Sequence, residues 1–398
     1  MKLNEPVLFV EINKNNFIFT VGKYDENQNF SIIETLAAPS NEILNGKIVN
    51  IDDAKLKVKK NIEDLENKLN CIFKTASIII DDLNYSCINI SGYKKLNGSQ
   101  LLKENISYIL NSLKLAVNEN EGKKTILHIF NSGSALDGIK VNNLPIGMFG
   151  DFYNHELTFF LLENNDLKNV NTIFKENNLN ISKILLKNYS EGVQIINKKN
   201  SDTFLRIKIG KEISSIFLFD QSSFKYGQNF NFGSNIILND IIKICSVDKE
   251  TIIKFLSDKI FKEKNLKDED LLEKKYFLEK SYRKIRKRLI LDIAKSRIEE
   301  IADIILNKNI NLSFIKKKDL KVYLFFDEKL IADNFLNNFN DNFLKSTNSI
   351  PVLMRDFEVK ETVQNAASLI TFGWTKEAIP VAQVKNSLIT RIFKSIFG

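Results

Sequence analysis

The sequence predicts an α/β protein of two lobes that ends in a short amphipathic helix. Three observations lead there. The chain has 398 residues, beyond the size at which a single hydrophobic core usually stops growing. A strand-rich hairpin followed by a helix occurs twice, near residues 6 and 203, as a duplicated fold would leave it. Residues 387–398 carry apolar side chains at helical spacing with cations off that face.

Each element is read from its own pattern. Pro6 to Val21 is apolar and β-branched, interrupted at Asn13 to Asn16, which predicts two strands joined by a tight turn. Phe30 to Ala37 adds a strand, and after a loop at Pro39 to Val49 the apolar residues of Asp52 to Leu69 take helical spacing. Ala76 to Ile80 reads as a buried strand. From Asn84 to about Lys183 the pattern is less regular: a strand at Cys87 to Ser91, a helix near Ser99 to Ala116, and strands at Thr125 to Phe130 and Glu156 to Leu162 suggest a compact insertion. The second α/β unit opens at Thr203 with strands through Phe219, a glycine turn at Phe232 and Gly233, and a helix from Asn239 into Lys243. Asp258 to Leu306 reads as a long charged helical region with Ile285, Leu289, Ile293, Ile298, Ile301 and Ile305 near one face. Leu320 to Phe326 is a further strand. Glu361 to Leu369 is a helix closed at Phe372, Gly373 and Trp374, where the folded body is expected to end. Thr375 to Lys385 is expected to be a tether. The organisation expected is a first lobe over 1–85 and 183–200 with part of 361–374, an insertion over 86–182, a second lobe over 201–360, a linker over 375–386 and a terminal helix over 387–398.

Composition narrows the function classes. With 43% hydrophobic and 27% charged residues the chain is globular, and no apolar stretch is long enough to cross a bilayer. Met1 to Glu11 has one lysine and a short apolar run beside Glu5 and Glu11, which predicts a cytoplasmic start. Cys71, Cys87 and Cys245 lack CxxC spacing and read as buried apolar residues rather than a disulfide framework. His128 and His155 have no acidic residue three or four places away on an evident helix, so a zinc site is not expected. The net charge of +8 would suit nucleic acid or anionic lipid, but lysine, asparagine and isoleucine are abundant throughout, as an AT-rich genome yields. The basic run Lys280 to Arg288 lacks repeated interleaving with aromatics, so no nucleic-acid partner is expected.

The last segment is the most patterned. Ser387 suits an N-cap, and Leu388, Ile389, Ile392, Phe393, Ile396 and Phe397 then form one stripe, with Arg391 and Lys394 away from it and no acidic residue after Glu377. That is the pattern of a helix lying in a lipid interface. With about 0.8 kcal/mol per buried methylene and about 1 kcal/mol per basic residue near an anionic leaflet, one such helix binds reversibly. Docking of the stripe on the folded body or on a partner chain is the alternative.

Several segments, taken in order, resemble a known family. They are Leu44-Asn45-Gly46-Lys47-Ile48-Val49-Asn50; Leu127 to Phe130 with Gly138-Ile139-Lys140-Val141 and Pro145-Ile146-Gly147-Met148; Phe232-Gly233-Ser234-Asn235 with Asn239-Asp240-Ile241; Ile293 to Ile301 with Arg297, Glu299 and Glu300; and Ala366 to Gly373. Together they are similar to FtsA, the bacterial actin-like division family, over nearly the whole chain. The resemblance implies a two-lobed actin-like fold, of the actin, Hsp70 and sugar-kinase type, with an FtsA-type inserted subdomain. It also implies a protein that tethers FtsZ filaments to the cytoplasmic face of the inner membrane at the division site. On that basis the FtsZ C-terminal peptide would meet Lys287, Arg288 and Arg297. Anionic lipid would meet Leu388, Ile389, Arg391, Ile392, Phe393, Lys394, Ile396 and Phe397. Self-association, and other division proteins bound through the insertion, are implied as well. A divergent actin-fold ATPase or kinase, and a scaffold of pilus or secretion assembly, are the alternatives.

Relatives of this family hold ATP in two glycine-rich hairpins, with carboxylates that position magnesium. Here the first hairpin reads Val10-Glu11-Ile12-Asn13-Lys14, with Asn13 in the glycine position. The second, Leu205 to Ile213, keeps Gly210 but has Arg206 where a magnesium-facing carboxylate is expected and Ile213 in place of a later aspartate. A third glycine loop reads Leu324-Phe325-Phe326-Asp327-Glu328. The expectation is a non-hydrolysing member of an ATPase fold, with no catalytic residue and no metal. Its degenerate nucleotide residues are Glu11, Asn13, Lys14, Lys208, Gly210 and Lys211. ATP is retained only in the alternative where Lys14, Lys208 and Lys211 replace the magnesium charge.

Overall fold

The structure, a computed structural model, describes residues 5–44, 46–81, 83–258, 267–277, 282–312 and 320–378. The helix expected over 387–398, with all its lipid-facing candidates, lies outside the described residues. Two compact units are present. One runs to Asp202 and includes Leu218–Gln228 and the chain from Phe357; the other comprises Thr203–Phe217 and Asn229–Asp356.

The first unit opens with the predicted hairpin, β1 (Val7–Ile12) antiparallel to β2 (Asn16–Tyr24), continued by β3 (Phe30–Pro39). A small ladder, β4 (Ile43–Leu44) with β5 (Lys47–Ile48), precedes α1 (Ile51–Leu69). That helix starts where Asn50 caps it, its side chain accepting from the Asp53 amide, and buries Ala54, Val58, Ile62 and Leu65 on one face. It stops at Asn70, whose left-handed backbone (φ 48°) asparagine tolerates. Next comes β6 (Thr75–Ile80), parallel to β1.

The insertion is a four-stranded sheet with one helix. Its elements are β7 (Ser86–Lys95), α2 (Lys103–Asn120), β8 (Lys124–Leu136), β9 (Ile139–Val141) and β10 (Phe152–Glu163), in the order β7-β10-β8-β9. Leu110 and Val117 of α2 pack on Ile126, Ile129, Leu157, Phe159 and Leu161. This sheet ends at Glu163, not at the expected residue 182. The next two elements, α3 (Asn164–Lys175) and β11 (Asn180–Leu186), return to the first sheet, where β11 lies parallel to β6. Then comes α4 (Lys187–Lys199).

The second sheet has β12 (Phe204–Ile209), β13 (Ser214–Asp220) and β14 (Ser223–Phe230), followed by α5 (Asn235–Cys245), α6 (Lys249–Ser257), α7 (Lys287–Ala302), β15 (Lys321–Phe326), α8 (Lys329–Thr347) and β16 (Val352–Leu353). The chain then forms α9 (Val359–Phe372), which Gly373 ends at φ +73°. The first sheet runs β11-β6-β1-β2-β3 and the second β14-β13-β12-β15-β16. Numbered within each copy, both read third, second, first, fourth, fifth. The duplication read from the hairpins is therefore present as topology, and the fold is actin-like.

Two expectations are corrected. Among the described residues the long helix expected over 258–306 is reduced to α7, continued by a π-helical turn at Asp303–Asn307, because Leu271 and Leu272 pair with Arg286 and Ile285 as extended backbone just before it. The described part of the expected tether is packed. The Asn131 amide donates to the Lys376 carbonyl at 2.7 Å and the Ala378 amide to the Ile129 carbonyl at 2.7 Å, so Lys376 to Ala378 lies along β8.

Candidate functional site

In the first unit, parallel pairing brings the C-terminal ends of β1, β6 and β11 side by side. Glu11, near the end of β1, is 1% exposed. Asp81 comes directly after β6, and Lys187 directly after β11 as the first residue of α4. The Lys187 ammonium lies 2.9 Å from Glu11 Oε1 and 2.9 Å from Asp81 Oδ2. Burial alone would push that ammonium down, but Asp81, Glu11 and Glu191 outweigh it and hold it well above the ordinary lysine range. The turn beyond Glu11 satisfies itself: the Asn13 amide donates to the Asn16 carbonyl at 3.2 Å, and the Asn16 amide to Asn13 Oδ1 at 3.1 Å. Lys14 lies in the same turn. The amides of Asn13 and Asn16 are thus engaged inside the turn.

The second unit repeats the theme with opposite charges. Arg206, on β12, is 1% exposed; its guanidinium meets Asp356 Oδ1 at 3.1 Å and lies 4.2 Å from the Phe325 ring centroid. Lys208 Nζ is 3.0 Å from Asp356 and 3.2 Å from Asp327. The Lys211 amide donates to Asp327 Oδ2 at 3.4 Å, and its ammonium is 4.0 Å from Glu328. Gly210 is required where it stands, since a Cβ would meet the Ile213 carbonyl oxygen at 2.1 Å. The amides of Ser234 and Asn235 at the start of α5 donate to the carbonyls of Gly210 and Lys211, at 2.8 and 3.1 Å. A helix N-terminus is a ready anion site only while such donors are open.

These residues do not fit a magnesium nucleotide of the kind the fold family implies. A cation takes up the carboxylates of the first unit. In the second, Asp327 and Asp356 pair with Lys208, and a buried guanidinium sits where a magnesium-facing carboxylate was expected. The sequence names Glu11, Asn13, Lys14, Lys208, Gly210 and Lys211 as degenerate nucleotide residues. It does not name Asp81, Lys187 and Asp356, whose roles appear only once strands distant in sequence are paired.

The residues expected to meet a peptide are all on α7. Lys287 pairs with Glu273 at 2.7 Å and Arg288 with Asp292 at 3.3 Å, one turn along the helix. Arg297 pairs with Asp240 and Glu300, tying α7 to α5.

Over 322 residues the chain is 21% identical to the cell division protein FtsA of Buchnera aphidicola subsp. Schizaphis graminum (strain Sg), a match covering 80% of this chain and 75% of that protein. The chain is similar to FtsA over most of its length. No protein-family model matches it. Among solved structures it is similar to the PilM–PilN type IV pilus biogenesis complex, with 9% identity, 91% of this chain and 95% of that chain covered, and a TM-score of 0.49. It is also similar to MreB5 of Spiroplasma citri bound to AMPPNP, with 10% identity, 93% and 97% coverage, and a TM-score of 0.45. The actin-like assignment rests on the shared strand order of the two sheets.

One further constellation in this FtsA-like chain had no signal in the sequence. Glu377, expected to lie in a tether, is inserted into the first unit: His128 Nδ1–H donates to its Oε1 at 2.7 Å and the Tyr189 hydroxyl to its Oε2 at 3.1 Å. The Leu186 amide donates to His128 Nε2 at 3.4 Å, which leaves Nδ1 as the ring nitrogen that donates to Glu377. Burial, and then the Glu377 carboxylate, push the Tyr189 hydroxyl well above its ordinary range. Glu377 thus anchors the chain just ahead of residues 379–398.

Proposed function

We propose that this FtsA-like chain tethers FtsZ filaments to the cytoplasmic face of the bacterial inner membrane at the division site, without hydrolysing ATP. The observation that supports the reading is the likeness to FtsA across 80% of the chain. Residues 387–398 supply the lipid contact, through the stripe Leu388, Ile389, Ile392, Phe393, Ile396 and Phe397 and the cations Arg391 and Lys394. Glu377 sets the origin of the connection, and the nine residues 379–387 reach at most about 30 Å when extended. The FtsZ peptide binds the second unit along α7. Arg288 is the cation there most readily handed to an acidic peptide, since an exposed pair one turn apart contributes only about 0.5 kcal/mol or less. The insertion exposes Ile139, Met148, Phe149 and Phe152, side chains suited to a second copy or another division protein. Because one interfacial helix is a weak anchor, side-by-side copies strengthen attachment through effective concentration.

Liposome flotation with a labelled FtsZ tail peptide tests this. Full-length protein should carry the peptide upward with anionic vesicles, and a form ending before Ser387 should leave both at the bottom. Equal flotation of the two forms removes residues 387–398 from the mechanism, and protein that floats without the peptide removes FtsZ.

A further inference from the structure

We propose that the Lys187 ammonium is a built-in substitute for a divalent cation, which makes the carboxylate pair of the first unit independent of any bound metal. Glu11 and Asp81 project from the ends of neighbouring parallel strands, Glu11 buried and Asp81 partly so, and two carboxylates converging on one point repel unless a cation lies between them. Lys187 supplies that cation at 2.9 Å from each. Its place is set by backbone register. Ile80 faces both Ile12 and Leu186 across the sheet, so the residues beside and after them, Glu11, Asp81 and Lys187, must converge. Lysine here is part of the sheet's geometry, not a surface side chain that has folded over a pair of acids.

A second observation points the same way. Glu11 Oε2 is buried and has no hydrogen-bond partner among the described residues. An ammonium offers three directed donors, whereas a divalent ion with its waters would satisfy more carboxylate oxygens than that. A small divalent ion commonly takes only one or two carboxylates from the protein, keeping several waters and adding substrate phosphates where these are bound. The pair therefore has the donor set of a cation site, filled from within the chain. As the chain stands, no group of three or more metal-ligating side chains able to hold an ion occurs among the described residues. This goes beyond the tether reading and does not depend on it.

The test uses the full chain and Mn²⁺, followed by its paramagnetic resonance signal and by thermal unfolding. Lys187→Ala should unfold at lower temperature in metal-free buffer and recover by several degrees with Mn²⁺ about 100-fold above its dissociation constant. The native chain should neither bind the ion nor shift. The double variant Glu11→Gln, Lys187→Ala should lose the recovery. If Lys187→Ala does not fold in metal-free buffer, refolding yield from urea with and without Mn²⁺ reads the same quantity: yield restored by the ion, and not in the double variant, supports the proposal. Equal yields, absence of Mn²⁺ binding by Lys187→Ala, or Mn²⁺ binding by the native chain that Glu11→Gln abolishes, each overturns it.

Discussion

His155 shows how one buried side chain writes a pH dependence into the fold. It lies on β10, 1% exposed, with Nε2–H donating to Asn131 Oδ1 at 3.0 Å. Burial pushes its imidazolium form down from 6.5 to about 4. Above 6.5 the ring is neutral folded or unfolded and contributes no pH dependence. Between 6.5 and about 4 the unfolded chain takes up a proton that the folded chain refuses, so stability falls as pH falls through that window. The loss approaches roughly 3 kcal/mol by the lower end. His155→Gln should remove this component. Urea unfolding at neutral pH and near the middle of the window should show a smaller drop in the variant than in the native chain, and equal drops would place the proton elsewhere.

At the level of elements, the start of α5 and the β12–β13 hairpin are locked backbone to backbone. Gly233 lies between them, where a Cβ would meet the Gly210 carbonyl oxygen at 2.3 Å and the Lys211 carbonyl oxygen at 2.5 Å. Those atoms are backbone and cannot rotate aside. Gly233→Ala should therefore destabilise the protein by about 1–3 kcal/mol. Hydrogen exchange should localise the loss to the amides of Ser234 and Asn235, and unchanged protection there would show that the hairpin and helix are not coupled.

Elements also differ in how far the sequence reveals them. The strands β1, β2, β3 and β6 are rich in apolar and β-branched residues, and α1 has a cap and a stripe, so local pattern suffices. In α8 the residues Ile331, Phe335, Phe339 and Phe343 recur every four places, yet asparagines at 334, 337, 338, 340 and 342 mask the helix, since their side chains compete for backbone hydrogen bonds. The end of the insertion was misplaced because α3 and β11 carry no boundary signal; only the pairing of β11 with β6 marks the return to the first sheet. The site shows the same division. Asn13 and Arg206 were legible as departures from a motif. The partner of Glu11 was not, because Lys187 is 176 residues away and is brought near only by the sheet.

For the whole molecule, the decisive junction is the one between the first unit and residues 379–398. Glu377→Ala would leave His128 Nδ1–H and the Tyr189 hydroxyl buried without their acceptor, at a cost of about 1–3 kcal/mol for each group left unsatisfied. That cost can be relieved by letting Lys376 to Ala378 detach from β8, which gives up the backbone bonds at Asn131 and Ala378, the Lys376 bond to the Asn142 carbonyl and the packing of Ala378 on the insertion. The variant should therefore be cleaved sooner by a nonspecific protease between residues 374 and 386, while far-ultraviolet dichroism stays near native. For the proposed tether, liposome flotation should persist with residues 387–398 intact, but the distance from the first unit to the vesicle surface, read by energy transfer from a dye on that unit, should broaden and lengthen. A variant with native cleavage rate and native transfer efficiency would mean that Glu377 is not the origin of the connection.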